Sequence, residues 1–509
     1  MFFESVSRSA ANSVGVGQCY ENPITTSFSA YKKPILQTMD SLLDANLMIV
    51  KAEARFQYFN NEYAKRAISL VTDGVVGPTG FKLQSRATNA KGKPDKLLKQ
   101  AVLKSLTEWS RRENCHYQGE LSLVEIERLI VDSLGYDGEC FIRLRTGKGL
   151  RLSLEIIDSM MINPNLRDVS GYTLQKGHYI RFGIEYNAKN KPVAYYVNSS
   201  QGGATDLTSG YHIGEYERVP AREIIHVFKR YAVGQRRGIP MLATSINSLV
   251  DRAEYTGYVR DAAKIGAQNP LYIELGENSM PSAFDASGNP VTPKMDISTR
   301  DMKTLPPGSK IASPGKQYPS GDFSIYSTNM LRQAFSGIGI DYAIAANDFS
   351  GVNYSSLKVG RDSQKDFFLE VQQMLIEQFL TPVFEIYIDN EVLMNRIEID
   401  RRLSLTEQRY KPHEWFGRRW PHLDPAKAAT FYEKMLQSNS TSVSAIIREN
   451  SQQEPLEVFE EIAEEKALMQ ELGITPSEVV SAVTNQQTAE PSNEQEEDDA
   501  GDSQATPEI

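Results

Sequence analysis

The spacing of apolar and polar residues divides the chain into helical and extended stretches. Leu42, Leu43, Leu47, Ile49 and Val50 form an apolar stripe. Ala64, Ala67, Ile68 and Val71 continue it, so residues 38–72 are predicted helical. Gly74, Gly77 and Gly80 break the pattern. Helical stretches follow at about 94–113 and at 121–134, the latter with Leu123, Ile126, Leu129 and Ile130 on one face. Between 138 and 228 the pattern changes to short β-like runs. Examples are Glu139-Cys-Phe-Ile-Arg-Leu-Arg, Leu152-Ser-Leu-Glu-Ile-Ile and Val193-Ala-Tyr-Tyr-Val, parted by turn-rich stretches.

Pro240 opens a long helical pattern, as proline suits a first helical position. Leu242, Ile246, Leu249, Val250 and Ala253 keep helical spacing. Gly257 falls on the same stripe, where a missing side chain admits a neighbouring backbone. Gly266 and Pro270 end the run. Residues 270–322 are rich in Pro, Gly and Ser and read as an insertion between helices. A shorter helix is expected at about 324–336, then a loop from Ile338 to Ser355. Helix resumes at about 355, with Phe367, Phe368, Val371, Met374, Leu375 and Phe379 on one face. Pro382 kinks it or starts a new segment. Asp424-Pro425 and Thr441 start further helices, and Leu456 to Leu472 is an acidic amphipathic helix. Residues 1–35 read as an arm or leader, and residues beyond about 485 have the composition of a disordered tail. No internal repeat appears.

Composition narrows the function. The chain has 509 residues, about three domains' worth, with 40% hydrophobic and 24% charged residues. Mean hydropathy is -0.41, and no apolar run approaches membrane-spanning length, so no span is expected. The N-terminus has no long apolar stretch of the secretory kind. Cys19, Cys115 and Cys140 are too few and too scattered for a disulfide framework or a zinc cluster. Net charge is -10, but the last twenty residues carry eight acids and no Lys or Arg. Without those eight acids the charge becomes -2, so a wide basic nucleic-acid surface is not indicated.

Candidate chemistry is sparse. Gly77-Pro-Thr-Gly80-Phe-Lys82 lacks the spacing and the Ser/Thr of a phosphate-binding loop. His116, His178, His212, His226, His413 and His422 show no ligand spacing, so each reads as structural. No nucleophile elbow occurs. Catalytic residues, metal ligands and cofactors are therefore not assigned. Lys229, Arg230, Arg236 and Arg237 cluster before the Pro240 helix. They read as a solvated turn or as contacts to phosphates or to a neighbouring subunit's carboxylates. Lys358, Arg361 and Lys365 recur at helical spacing, either facing a nucleic-acid backbone or forming the polar face opposite Phe367 and Phe368.

Several blocks carry a family resemblance. They are Arg55-Phe-Gln-Tyr-Phe-Asn-Asn-Glu-Tyr-Ala-Lys-Arg-Ala with Gly74-Val-Val-Gly, Glu120-Leu-Ser-Leu-Val-Glu-Ile-Glu-Arg, and Asp137-Gly-Glu-Cys-Phe-Ile. The clearest is Pro220-Ala-Arg-Glu-Ile-Ile-His-Val-Phe-Lys-Arg-Tyr-Ala-Val-Gly-Gln-Arg-Arg-Gly-Ile-Pro. Asp348-Phe-Ser-Gly-Val-Asn-Tyr-Ser-Ser and Phe416-Gly-Arg-Arg-Trp-Pro-His-Leu-Asp-Pro follow. Together, over about 40–475 and in order, they resemble the lambda-type phage portal proteins. Asp158-Ser-Met-Met and the acidic tail depart from the pattern.

The resemblance implies an α+β portal-type fold with wing, stem, clip and crown regions. It divides the chain as follows: a flexible arm at 1–35, a wing at 36–238, and a first stem helix at 239–267. A clip at 268–323, a second stem helix at 324–342 and a tunnel loop at 343–354 come next. A long wing helix at 355–400, wing and crown helices at 401–477 and a disordered tail at 478–509 complete it. The implied role is a homo-oligomeric ring, typically of twelve subunits, at one capsid vertex of the virion, assembled in the host cytoplasm. Double-stranded DNA passes through it without sequence readout. The large terminase subunit, capsid and scaffold proteins and later neck or adaptor proteins dock on it, and no membrane is involved. Asn347, Asp348, Ser350, Asn353, Lys358 and Arg361 become candidates for the DNA channel. Two other readings stay open at this point: an assembly-pathway nuclease or protease, and another structural head or adaptor protein.

Overall fold

Polar residues at helix ends decide where the first elements start and stop. The computed structural model describes residues 38–89, 92–147, 151–169, 172–198, 216–268, 272–274, 310–312, 322–397, 408–420, 424–451 and 453–473. The expected arm, the acidic tail and most of 268–323 lie outside the described residues. Thr38 caps helix α1 (Met39–Asn60). Asn61 interrupts the expected single helix, because its side chain accepts the Tyr63 and Ala64 amides and starts α2 (Glu62–Val75). Leu42, Leu43, Leu47 and Val50 are buried as expected, but Ile49 faces solvent.

Strand β1 (Lys82–Ser85) and helices α3 (Lys96–Trp109), α4 (Arg112–Cys115) and α5 (Leu123–Tyr136) follow. Ser122 and Glu125 form a reciprocal capping box at the start of α5. Gly138 then turns the chain with φ +79° into β2 (Glu139–Arg145), which is buried over most of its length. It is the centre of a three-stranded antiparallel sheet between β3 (Ser153–Ile157) and β8 (Ile224–Phe228). A second antiparallel sheet runs in order β4 (Tyr179–Arg181), β5 (Ile184–Tyr186), β6 (Pro192–Asn198) and β7 (Tyr216–Pro220). Phe141, Ile157, Ile162, Ile184, Tyr195 and Val219 join the two sheets in one core.

Pro240 does not open the long helix. It precedes a 3₁₀ turn at Met241–Thr244, and α6 spans Ile246–Gln268, about 34 Å at 1.5 Å per residue. A short ladder of β9 (Tyr272–Glu274) with β10 (Lys310–Ala312) is what is described of the insertion. Helix α7 (Asp322–Ile338) returns antiparallel to α6. Ser245 Oγ donates to the Ala334 carbonyl at 2.6 Å, and Arg252 Nε donates to Ser327 Oγ at 3.1 Å. Tyr255 lies between Phe323 and Tyr326. A Cβ on Gly257 would meet no atom within 4 Å, so the expected close approach is absent among the described residues.

Inside the expected 338–355 loop lies a short helix, α8 (Tyr342–Ala346). Helix α9 (Tyr354–Leu375) passes through a π-turn at Ile376–Leu380 into α10 (Thr381–Leu393), with Pro382 near its start. Strand β11 (His413–Phe416), not foreseen among the expected helices, pairs antiparallel with β1. A separate unit begins after Arg418 and contains α11 (Pro425–Gln437), α12 (Val443–Asn450) and α13 (Pro455–Leu472). Asp424 caps α11 as expected, whereas Ser442 rather than Thr441 caps α12.

Gly138 and Gly238 pack backbone to backbone. A Cβ on Gly238 would lie 2.0 Å from the Gly138 carbonyl oxygen, and one on Gly138 would lie 2.1 Å from the Ile239 carbonyl carbon. Gly238→Ala is therefore expected to cost about 3 kcal/mol or more, by overpacking against backbone that cannot yield. Gly257→Ala, in open space inside a helix, is expected to stabilise the subunit by up to about 1 kcal/mol. Chemical denaturation of the two variants checks the pair.

Candidate functional site

Backbone capping builds the 341–353 segment. Asp341 Oδ1 accepts the Ala343 and Ile344 amides and starts α8. Asn347 closes α8 in the left-handed region, φ 52° and ψ 36°. Tyr342 donates its hydroxyl to Asp348 Oδ2 at 2.7 Å, and Ser350 gives both its amide and its hydroxyl to Asp348 Oδ1. Hydrogen bonds from Ser350 and Tyr342 hold the Asp348 carboxyl below its ordinary range. Asn353 Oδ1 then caps α9 through the Ser356 amide. Helix α9 crosses close to α8: a Cβ on Gly360 would come within 2.5 Å of Asp341 Oδ2.

The six channel candidates therefore divide into two groups. Asp348 and Asn353 spend their side-chain oxygens on nearby groups of the same stretch: the Tyr342 hydroxyl, Ser350 and Ser356. Asn347, Ser350 and Lys358 are exposed, and Arg361 is half-buried. Phe349, which sequence reasoning did not single out, is exposed between them. The candidates lie on one continuous stretch from the end of α8 to the second turn of α9.

The four basic candidates do not form one surface. Lys229 pairs with Glu370 on α9 at 2.8 Å and lies 5.6 Å from the Phe367 ring centroid. Arg230 stacks over Phe228 at 4.4 Å. Arg236 donates to Asp40 at 2.6 Å and to the Tyr179 hydroxyl at 2.8 Å. Arg237 corrects both readings of the cluster: it is neither solvated nor turned toward an outside phosphate or carboxylate. It is fully buried, and its guanidinium bonds Glu139 and the carbonyls of Ile162, Phe182 and Ser159.

Glu139 is the centre of that buried cluster. Its carboxylate accepts from Arg237, from the Gly238 amide at 2.8 Å, from His226 Nε2 at 2.9 Å and from Lys51 Nζ. Lys51 also donates to Ser159 Oγ, and Arg55, one turn further along α1, bridges Asp137 and Asp158. Three cations thus face three carboxylates. Burial alone would raise the Glu139 carboxyl, but Arg237, Lys51 and His226 overcome it and hold the group well below the carboxylate range. Burial lowers Lys51 and pushes His226 down to about 4. His226 is then neutral at pH 7, its Nε2 proton directed at Glu139.

The cluster gathers residues from separate blocks of the family resemblance. Arg55, Asp137-Gly138-Glu139 and His226…Arg237-Gly238 come together around Asp158-Ser159, a place where the sequence departs from the pattern. Lys51 and Glu139 were not foreseen. The signal available was a glutamate directly ahead of the apolar run Cys140-Phe141-Ile142.

A sequence model described as phage portal protein, lambda family, matches residues 26–372. The chain belongs to this family. The probable portal protein of Halomonas phage phiHAP-1 is 28% identical over 430 residues, covering 84% of this chain and 81% of that protein. Portal protein B of Escherichia phage lambda is 20% identical over 427 residues, 75% of this chain and 77% of that one. Among solved structures, a chain from the virion of a native gene transfer agent particle overlaps at a TM-score of 0.40 with 12% identity. It covers 84% of this chain and 99% of that chain. An HK97 family phage portal protein from Corynebacterium diphtheriae overlaps at 0.31 with 10% identity, covering 60% and 82%. The portal family is structural rather than enzymatic. Among the described residues, no helix of this portal chain is long and apolar enough to cross a membrane.

The His226 shift gives a pH dependence with a definite sign. Between its ordinary pKa of 6.5 and about 4, the unfolded chain takes up a proton at this position that the folded chain does not. The contribution of His226 to stability therefore falls as pH drops through that window, by about 3 kcal/mol in all, while Glu127, raised to about 8 by burial, contributes with the opposite sign. Glu139 adds a further loss below 4.5, where the unfolded carboxyl protonates first. Thermal melts from pH 7 to pH 4 check this. His226→Gln keeps a hydrogen-bond donor, does not titrate, and is expected to lose less stability than the unaltered chain between pH 6.5 and pH 4.5.

Proposed function

We propose that copies of this portal chain form a ring, typically of twelve, at one capsid vertex, and that double-stranded DNA passes along its axis in packaging and ejection. Family membership over residues 26–372 carries this reading. On it, residues 36–238 serve as the wing, 239–267 and 324–342 as stem helices, 268–323 as the clip and 343–354 as the tunnel loop. The antiparallel α6–α7 pair, fixed at its base by Ser245 and Ala334, suits a stem. Helices α9 and α10 extend the wing, and 401–477 supply wing and crown. The terminase large subunit and later neck or adaptor proteins dock at the clip, and capsid and scaffold proteins are further partners.

Electrostatics agree with a channel through which DNA slides. A strongly basic lining would bind phosphates and arrest the duplex. Helix α6 from Asp251 to Lys264 carries three acids and three bases (Asp251, Glu254, Asp261 against Arg252, Arg260, Lys264). The exposed side chains at Asn347, Phe349 and Ser350 are uncharged. Lys358 and Arg361 sit where α9 leaves this segment and supply weak, sequence-independent phosphate contact.

The assembled mass of the purified chain, with negative-stain images of the same fraction, tests the ring. A discrete ring with a duplex-wide hole is expected. Discrete dimers with metal-dependent DNA cleavage would overturn the reading. Ser350→Lys adds one cation per subunit at the loop. It is expected to leave ring mass unchanged and to slow DNA translocation in a packaging assay, more strongly at low salt.

A further inference from the structure

We propose that Glu127 is a proton-held latch. Neutral, it clasps the turn that joins α2 to β1. When it loses its proton, that turn and the adjoining β1–β11 pair open.

Glu127 lies on α5 and is 1% exposed. Its Oε2 accepts the Phe81 amide at 3.1 Å, while Oε1 is buried without a hydrogen-bond partner among the described residues. Gly80, at φ +68°, brings the backbone of the turn against the carboxyl: a Cβ there would lie 2.6 Å from Oε2. Glu139 is buried as deeply, but it faces Lys51, Arg237, His226 and the Gly238 amide. Glu127 faces one amide. A charge so placed would keep most of its desolvation cost, so the group holds its proton. Burial raises it to about 8, against the opposing effects of the Phe81 amide and the Lys82 charge.

The turn, Val76 to Phe81, is the part that yields. Pro78 and Thr79 in it are exposed, whereas Ile126 and Ile130 of α5 are fully buried. Lifting the turn wets the carboxylate at less cost than parting the packed helices. Other contacts hang on the same turn. Arg128 donates to the Gly77 carbonyl at 2.9 Å and to Asp73 at 2.8 Å. Arg418, two residues after β11, donates to the Asp73 carbonyl and packs on Gly77, where a Cβ would lie 2.8 Å from its Cδ. Phe81 leads directly into β1, whose partner is β11. Opening is thus shared by residues 76–85 and 413–418. The ionisable groups around the turn are Arg128 with Asp73, Arg418, the exposed Lys82, Asp132 bonded to Thr72, Arg112 paired with Glu125, and the Cys115 thiol. Burial, with acids nearby, pushes that thiol up to about 12. Between pH 6 and pH 8 the arginines and lysine stay charged and the thiol stays neutral. Replacement of Glu127 alone separates its proton from that of Asp132.

Hydrogen exchange on the full chain at pH 6, 7 and 8, scaled for the chemical exchange rate, tests this. Below about pH 8 the closed turn holds a carboxyl and the open turn a carboxylate, so opening gains up to about tenfold per pH unit. Amides 76–85 and 413–418 are expected to lose protection by about tenfold or more from pH 6 to pH 8, relative to β2 and β3. Glu127→Gln keeps an acceptor for the Phe81 amide and does not titrate. Its protection at those amides is expected to stay level with pH, while β2 and β3 remain protected, which shows that the variant folds. Lys82→Gln, at an exposed position, removes the cation that favours the charged form and is expected to move the fall to higher pH. A level profile in the unaltered chain overturns the proposal, and so does a fall that persists in Glu127→Gln.

Discussion

A single buried carboxylate, Glu139, ties the first helix, the central sheet and the base of the long helix pair together. Lys51 comes from α1, His226 from the neighbouring strand β8, and Arg237 and Gly238 from the segment that leads into α6. An unpaired charge at that depth would be costly, so each partner holds the others in register. The close approach of Gly138 to Gly238 is what allows Glu139 to reach the Gly238 amide. Polar ties of this kind add directional specificity to an apolar core. Here they join α1, β2 and β8 to the segment that leads into α6.

Away from that centre the packing is apolar in the sheets and more open in the long helices. The sheets share a packed core of Phe141, Ile157, Ile184, Tyr195 and Val219. Helices α6 and α7 pack on each other, and on α6 Tyr258 is left open to solvent.

Local signals made much of the fold legible. The Asp424-Pro425 start, the amphipathic stripes of α2, α5 and α9, and the β-like runs around 139 and 193 all come from short-range pattern and capping. The errors come from competition that pattern cannot resolve. Asn61 caps a new helix inside a continuous apolar stripe. Pro240 fits a helix start, yet the chain first makes a 3₁₀ turn. Strand β11 is four residues long and exists because β1, more than three hundred residues earlier, offers it an edge. The candidate loop was legible as a position, but its internal helix and the Asp348 hydrogen bonds were not. The basic run at 229–237 shows why charge alone misleads: Arg237 is the most buried arginine described, because its acceptors are spread over Glu139, Ser159, Ile162 and Phe182.

Hydrogen exchange on the full chain with Glu139→Gln tests the central claim most directly. Glutamine keeps the shape and removes the charge that Lys51 and Arg237 share. The account predicts that amide protection falls together in α1, β2, β8 and the first turns of α6, four regions far apart in sequence. Loss of protection confined to β2 and its sheet partners, with α1 and the start of α6 unchanged, would contradict it.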